Sequence, residues 1–204
     1  MKALLYISAA LAAYLIGGWN PAITFSKTIY KKDIRTCGSG NPGFTNFRRT
    51  FGNRYAWYVL MLDLGKASVV VVLFAHLFLK NEVGLQFGAA YTGIFALLGH
   101  TYPIWYGFKG GKGFWVSLSV LYVIDWRIGL IATLIMNLLL FATKYMSLAT
   151  VTALLISPVV MIFFETPMPV ILFSAVNVLF VAIRHKENFK RLKNGTESKF
   201  KVNA

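Results

Sequence analysis

The sequence predicts an all-α integral membrane protein, a single domain over residues 1–204 built as a bundle of about seven transmembrane helices, N-terminus outside and C-terminus cytoplasmic. Three observations carry this. The 204 residues are 57% hydrophobic, with a mean hydropathy of +0.61. Only 14% are charged, where soluble domains average about 25%. The 21 Lys and Arg against 7 Asp and Glu are also clustered in a few interruptions of the apolar sequence. A soluble protein with this excess would suggest nucleic acid. In a membrane chain it suggests cytoplasmic loops, anionic head groups or phosphorylated substrates, and no nucleic-acid partner is expected. A lone cysteine, Cys37, excludes an internal disulfide and a multi-cysteine metal site.

A helix needs about 20 apolar residues to cross a core of about 30 Å. Residues 3–25, 55–79 and 83–106 meet that length, and 147–164 and 167–183 approach it, with Glu165-Thr166-Pro167 as the turn between them. The stretch 114–143 carries Asp125-Trp126-Arg127 near its middle. Charges at mid-depth are costly, so it divides into 114–124 and 128–143, the first being a candidate partial pass. With the N-terminus outside, the inner segments 26–54, 107–113, 144–146 and 184–204 hold 17 Lys and Arg. Lys2, Lys80 and Arg127 remain outside, and Lys66 lies within a pass. The positive-inside rule selects this split and this orientation. The first apolar segment is long, covering 3–25, so it is expected to remain as a pass rather than be removed.

Three polar stretches then share the cytoplasmic face. In the first, four of the ten residues Gly38–Phe47 are Gly or Pro, which predicts no regular helix there. Successive amides of such a loop can form an anion-binding nest. Ser39, Asn41, Thr45 and Asn46 add hydrogen-bond groups beside Gly40 and Gly43, and Arg48 and Arg49 add forked donors suited to phosphate. The plain alternative is a turn-rich basic loop. The second, Gly99-His100 through Lys109-Gly110-Gly111-Lys112-Gly113, departs from the Walker pattern because Lys112 is followed by glycine and the preceding spacing is wrong. It leaves two lysines around a Gly-Gly pair ahead of a helix whose N-terminal amides would face an anion. On its own, His100 has a structural hydrogen-bonding role as its plain reading.

In the third, Arg184, Asn188 and Arg191 would share one face of a continuing helix, with His185 beside it and Glu197 beyond. His185 can titrate near neutrality as an acid or base. The alternative is a basic anchor for anionic lipids. Asp63 and Lys66, at i and i+3 inside the second pass, are expected to form an ion pair facing the bundle interior. His76 and Cys37 receive no role.

Together these stretches resemble the bacterial integral-membrane acyl-phosphate:glycerol-3-phosphate acyltransferase (PlsY-type) family. Its motifs look like S-G-N-x-G-x-T-N-x-x-R, G-H-x-x-P with F-K-G-G-K-G, and R-H-x-x-N-x-x-R-L-x-x-G-x-E. Here they read Ser39 to Arg49, Gly99 to Pro103 with Phe108 to Gly113, and Arg184 to Glu197, in order. Asp63-Leu64-Gly65-Lys66 resembles a further D-x-x-K element. Phe44 stands where alanine is usual, and Phe114-Trp115 where smaller residues are common, so pocket shape rather than chemistry would differ.

The resemblance implies transfer of a fatty acyl group from acyl phosphate to the 1-hydroxyl of glycerol 3-phosphate, giving lysophosphatidic acid and inorganic phosphate. It implies no cofactor and no metal, membrane lipids as surroundings, a monomer, and a bacterial cytoplasmic membrane location with the site at the cytoplasmic face. On that reading Ser39, Asn41, Thr45 and the loop amides hold a phosphoryl group and polarise the carbonyl. Arg49, Lys109 and Lys112 neutralise phosphate, and His185 with Asn188 orients the hydroxyl. Gly40, Gly43, Asn46, His100, Gly110, Gly111, Gly113, Arg184, Arg191 and Glu197 complete the substrate site. The proton acceptor is His185 or the substrate's own phosphate. The H-x-x-x-x-D acyltransferase route is excluded, since no Asp stands five positions after His76, His100 or His185. A transporter would place its polar groups near the midplane, whereas these gather at one face.

Overall fold

A computed structural model of the chain describes residues 2–76 and 84–200, and all regular structure among them is helical. The helices are α1 (Lys2–Gly18), α2 (Pro21–Thr28), α3 (Phe44–Phe51), α4 (Asn53–Phe74) and α5 (Leu85–Thr101), followed by α6 (Phe114–Ile124), α7 (Trp126–Thr143), α8 (Met146–Phe163), α9 (Met168–Arg184) and α10 (Lys186–Lys193). Residues 77–79 and 83, assigned to passes from sequence, lie outside the described residues, as do Lys80 and Lys201.

Four segments are long and apolar enough to cross a membrane: 3–28, α4, α7 and α8. A fifth counts if α9 and α10, bent by 53° at His185, are taken together. The first pass is not one straight helix. It breaks at Trp19-Asn20, where the Asn20 side chain accepts from the Ile23 amide at 2.9 Å and Pro21 opens α2. Helix α1 lies close against α5 through small residues. A Cβ on Gly99 would run into the Tyr14 carbonyl, and one on Gly17 into the Ala96 backbone. Lipid offers helices no hydrophobic drive to associate, so such close van der Waals approach supplies the attraction.

The division of 114–143 is as expected. Asp125 ends α6, and its carboxylate caps α7 by accepting from the Arg127 amide at 2.9 Å. Arg127 pairs with Asp125 at 2.6 Å and stacks over Phe164 at 4.2 Å. Helix α6 has only 11 residues, about 16 Å at 1.5 Å per residue. It packs against α4, α5 and α7 and buries Val116, Leu118, Val120 and Leu121, so protein rather than lipid surrounds it. Its polar Ser117 donates to Asn177 of α9 at 2.6 Å.

The Asp63–Lys66 pair faces the interior at 2.9 Å, as the i, i+3 spacing predicts. His100 joins it: Lys66 Nζ lies 3.0 Å from His100 Nδ1 and donates to the Trp19 carbonyl at 2.5 Å. One cation thus ties α1, α4 and α5 together. Lys66→Ala would strand a buried carboxylate, and a loss of about 3–5 kcal/mol is expected. Thermal unfolding in detergent checks this. Recovery in an Asp63→Asn/Lys66→Met double variant would assign the loss to the unpaired charge, and a Lys66→Ala protein as stable as its parent would refute it.

Candidate active site

Two expectations about local structure change here. The Gly38–Phe47 stretch was expected to be free of regular helix, yet α3 begins at Phe44. The helix breakers end at Gly43, and Phe44, Phe47 and Phe51 recur at helical spacing. Phe44 and Phe47 are buried against Ile23, Ile34 and Val59. The stretch Arg184 to Arg191 was expected to be one continuous helix, and it bends at His185. The His185 amide closes a tight turn on the Ala182 carbonyl, and its ring bonds back to Val181 at 2.8 Å.

The loop before α3 is stapled from both sides. Asn46 accepts from the Ser39 amide at 2.9 Å and donates to the Cys37 carbonyl at 2.9 Å. Asn20 donates to the Pro42 carbonyl at 3.0 Å. Arg35 forks onto Asp33, with Nη2 to Oδ2 at 2.7 Å, and reaches the Tyr106 carbonyl at 2.6 Å, locking this loop to the next. That guanidinium holds the Asp33 carboxyl well below the usual carboxylate range. The side chains of Ser39, Asn41, Thr45 and Arg49 make no hydrogen bond within the described residues.

The second loop folds back on the end of α5. Gly110 and Gly111 donate to the carbonyls of Thr101 and His100 at 3.0 and 3.1 Å. A Cβ on Gly111 would meet the His100 ring, so the chain can approach this closely only as glycine. Gly113, at φ 92°, turns the chain into α6. Lys112 donates to Asn188 Oδ1 across 76 residues of sequence. Burial, with Arg191 adding to it, pulls Lys112 down to about 8.

Glu197 is the hub of the third segment. It accepts from Asn188 at 2.6 Å, from Ser147 of α8 at 2.8 Å, and from Arg191 at 2.7 Å. Burial alone would raise its pKa, but these three donors outweigh it and the carboxyl sits below its ordinary value. His185, expected to titrate near neutrality, is pushed down to about 4 by burial. It is therefore neutral at physiological pH. Since a carbonyl can only accept, its contact with Val181 puts the proton on Nδ1 and leaves Nε2 as the acceptor.

These pieces meet around a polar cavity of about 120 Å³. Its lining includes Ser39, Asn41, Gly43, Thr45, Asn46, Arg49, His100, Lys112, Gly113, His185, Asn188, Arg191 and Glu197, together with Asp63 of the buried ion pair. Helices α5 and α9 end here and α6 and α8 begin here. The first turns of both α3 and α6 border it, and the leading amides of each have no intrahelical acceptor.

Gly40, Lys109, Gly110, Gly111 and Arg184 are not among the lining residues. Gly40 shapes the first loop at φ 72° and Gly110 and Gly111 back the second. Lys109 is exposed, and Arg184 stacks over Tyr102 at 5.2 Å. Sequence reasoning passed over Ser147 and Thr150 on α8, whose only signal was an i, i+3 pair of hydroxyls opening an apolar helix. Among the described residues no group of three His, Cys, Asp or Glu could hold a metal.

A second cavity, apolar and of about 720 Å³, adjoins the first. Trp57 and Leu60 of α4, Met136 and Leu140 of α7, and Phe200 line it, while Phe44, Trp115 and Met146 line both.

The model of one protein family, glycerol-3-phosphate acyltransferase, matches residues 7–195. This chain belongs to that family. A glycerol-3-phosphate acyltransferase of Lactiplantibacillus plantarum is 37% identical over 92% of this chain and 88% of its own length. One from Neisseria meningitidis is 39% identical over 95% of this chain and 96% of its own. The fold is similar to the crystal structure of PlsY, an integral membrane glycerol 3-phosphate acyltransferase, in its glycerol 3-phosphate form. The TM-score is 0.89 at 29% identity, over 97% of this chain and 96% of that one. The lysophosphatidic acid form of the same protein matches with a TM-score of 0.85. The chain therefore has the integral membrane fold of this family, all-helical among the described residues.

Proposed function

We propose that the protein transfers an acyl group from a fatty acyl phosphate to the 1-hydroxyl of glycerol 3-phosphate, releasing lysophosphatidic acid and inorganic phosphate. The observation that carries this is the junction of the two cavities. A space lined by Arg49, Lys112 and Arg191 suits phosphate, and an apolar one beside it, sharing Phe44, Trp115 and Met146, suits an acyl chain. A donor that is both anionic and fatty fits the pair. We further propose seven passes, the N-terminus outside, and the polar cavity at the cytoplasmic side of a bacterial inner membrane. The clustering of Lys and Arg beside the cavity supports that orientation.

The hydroxyl oxygen attacks the acyl carbonyl carbon, the new C–O bond forms, and the bond from carbon to the phosphate oxygen breaks. Amides at the starts of α3 and α6, with Ser39, Asn41 and Thr45, hold the donor phosphoryl group and stabilise charge on the carbonyl oxygen. Such donors are worth about 3–4 kcal/mol each in related acyl transfers. Arg49, Lys112 and Arg191 neutralise the phosphates. Neutral His185 accepts a hydrogen bond from the attacking hydroxyl through Nε2 and orients it, with Asn188 beside it. An imidazole held near 4 is a weak base, so the proton passes to the departing phosphate. Cys37 donates to the Asp33 carbonyl at 3.6 Å and is not among the lining residues, which speaks against an acyl-cysteine intermediate.

The test uses purified protein with palmitoyl phosphate and glycerol 3-phosphate. Equal release of phosphate and lysophosphatidic acid is expected. No phosphate release overturns the assignment, and His185→Ala with full activity overturns the orienting role.

A further inference from the structure

The boundary between the two cavities is built from aromatic rings. Phe44 and Trp115 meet edge to face, with centroids 6.1 Å apart and planes at 86°. Trp57 holds Phe44 from another side at 5.2 Å, and Phe114 holds Trp115 at 4.9 Å. Phe44 is only 3% exposed. A ring clamped in this way cannot swing aside cheaply, because close-packed neighbours would have to move with it. Met146, the third shared residue, is the flexible member of the ring of contacts.

Their place in the helices matters. Phe44 is the first residue of α3 and Trp115 the second of α6. Each therefore belongs to a helix first turn at the polar cavity and also lines the apolar one. A carbonyl held at those turns has its first few chain carbons beside the two rings. The far end of the chain lies in the wider cavity, whose own aromatic residues, Trp57, Phe141 and Phe200, form no edge-to-face pair with one another among the described residues.

We propose that Phe44 and Trp115 form an aperture that determines acyl specificity near the carboxyl end, admitting unbranched chains and rejecting those with a methyl branch at C2. This rests on the acyl-phosphate reading above. A branch near the chain terminus falls beyond the aperture and meets little discrimination.

The test compares three acyl phosphates of equal carbon number: unbranched, 2-methyl, and branched at the penultimate carbon. Lysophosphatidic acid formation is measured for the parent protein, Phe44→Ala and Trp115→Leu. One misplaced methyl group in a closed apolar passage changes specificity by about 10- to 200-fold. The parent is expected to prefer the unbranched donor over the 2-methyl one within that range and to treat the terminally branched donor almost alike. Each variant is expected to raise the ratio of 2-methyl to unbranched turnover at least about tenfold. Comparing variant with parent removes the intrinsic slowness of a hindered carbonyl. Phe44→Leu, which keeps an apolar core residue, replaces Phe44→Ala if that variant does not fold.

A ratio that stays within about twofold of the parent in a variant still turning over the unbranched donor overturns the aperture. So does an equal rise for both branched donors, which would mean general loosening. A parent protein that makes lysophosphatidic acid only from another kind of donor overturns the acyl-phosphate reading itself, a result distinct from either.

Discussion

Replacing Lys112 with methionine is expected to lower kcat/KM by about 10²- to 10³-fold, the usual effect of removing one preorganised donor from an acyl-transfer site. Lys112 stands at the start of α6, reaches Asn188 and lines the polar cavity, so phosphate would meet its ammonium directly. Because burial holds it at about 8, kcat/KM should fall as pH rises above that value, through loss of the charge. A bound phosphate dianion favours the ammonium, so the same limb in kcat should lie higher. Lys112→Arg keeps its charge across this range and should abolish the limb.

The effect on stability has the opposite sign. The unfolded chain keeps this proton up to the ordinary 10.5, whereas the folded chain gives it up near 8. Folding therefore gains from Lys112 as pH rises through that window, while activity declines. A pH–rate profile for kcat/KM that stays flat through pH 8 in the parent would remove Lys112 from the phosphate site.

Glu197→Ala is expected to be the most damaging single change to the C-terminal segment. It removes one acceptor from Asn188, Ser147 and Arg191 at once, and its side chain is only 9% exposed. A loss of about 2–4 kcal/mol is expected, toward the lower end for a buried pair because Arg191 retains some access to water. Activity should fall with it, since Asn188 loses one of the two groups that orient it, the other being Lys112. Thermal midpoints and steady-state kinetics check both effects. Because hydrogen bonding holds the folded carboxyl below 4.5, the stability Glu197 supplies is present above that pH. It is lost as the pH falls through the folded value. An Arg191→Ala/Glu197→Ala pair should recover part of the loss if stranding of the guanidinium causes it.

The polar interruptions were legible because Gly, Pro, Asn and Arg stand out against an apolar background, and local chemistry alone marked them as loops. Asp125 was legible as a break for a related reason: a charge at mid-depth costs too much to sit within one unbroken pass. The start of α3 was hidden because Phe44 follows a glycine-rich run, and the helical spacing it shares with Phe47 is completed only by Phe51, beyond that run. The bend at His185 depends on a ring-to-carbonyl bond that no periodicity announces. Glu197 could be matched to a motif, but its acceptance from Ser147 spans 50 residues. Contacts at such separations leave no mark on local pattern. For the same reason Ser147 and Thr150 went unassigned, whereas Asp63 and Lys66, three residues apart, did not.

The brevity of α6 has a consequence for how the enzyme meets its substrates. Helices α6 and α7 share the turn at Asp125 and pack side by side, yet one has 11 residues and the other 18. At 1.5 Å per residue the difference leaves the first turn of α6 up to about 10 Å short of the last turn of α7. The polar cavity would thus have its floor set lower on the α6 side than on the side of α8, whose first turn follows α7 directly and also lines it. An amphiphile dissolved in the surrounding lipid would find the floor by lateral diffusion, whereas glycerol 3-phosphate must descend from water. Turnover would then follow the mole fraction of the fatty donor in the lipid phase and the ordinary molarity of the soluble acceptor. Diluting the membrane with inert lipid would slow the reaction without changing the amount of either substrate.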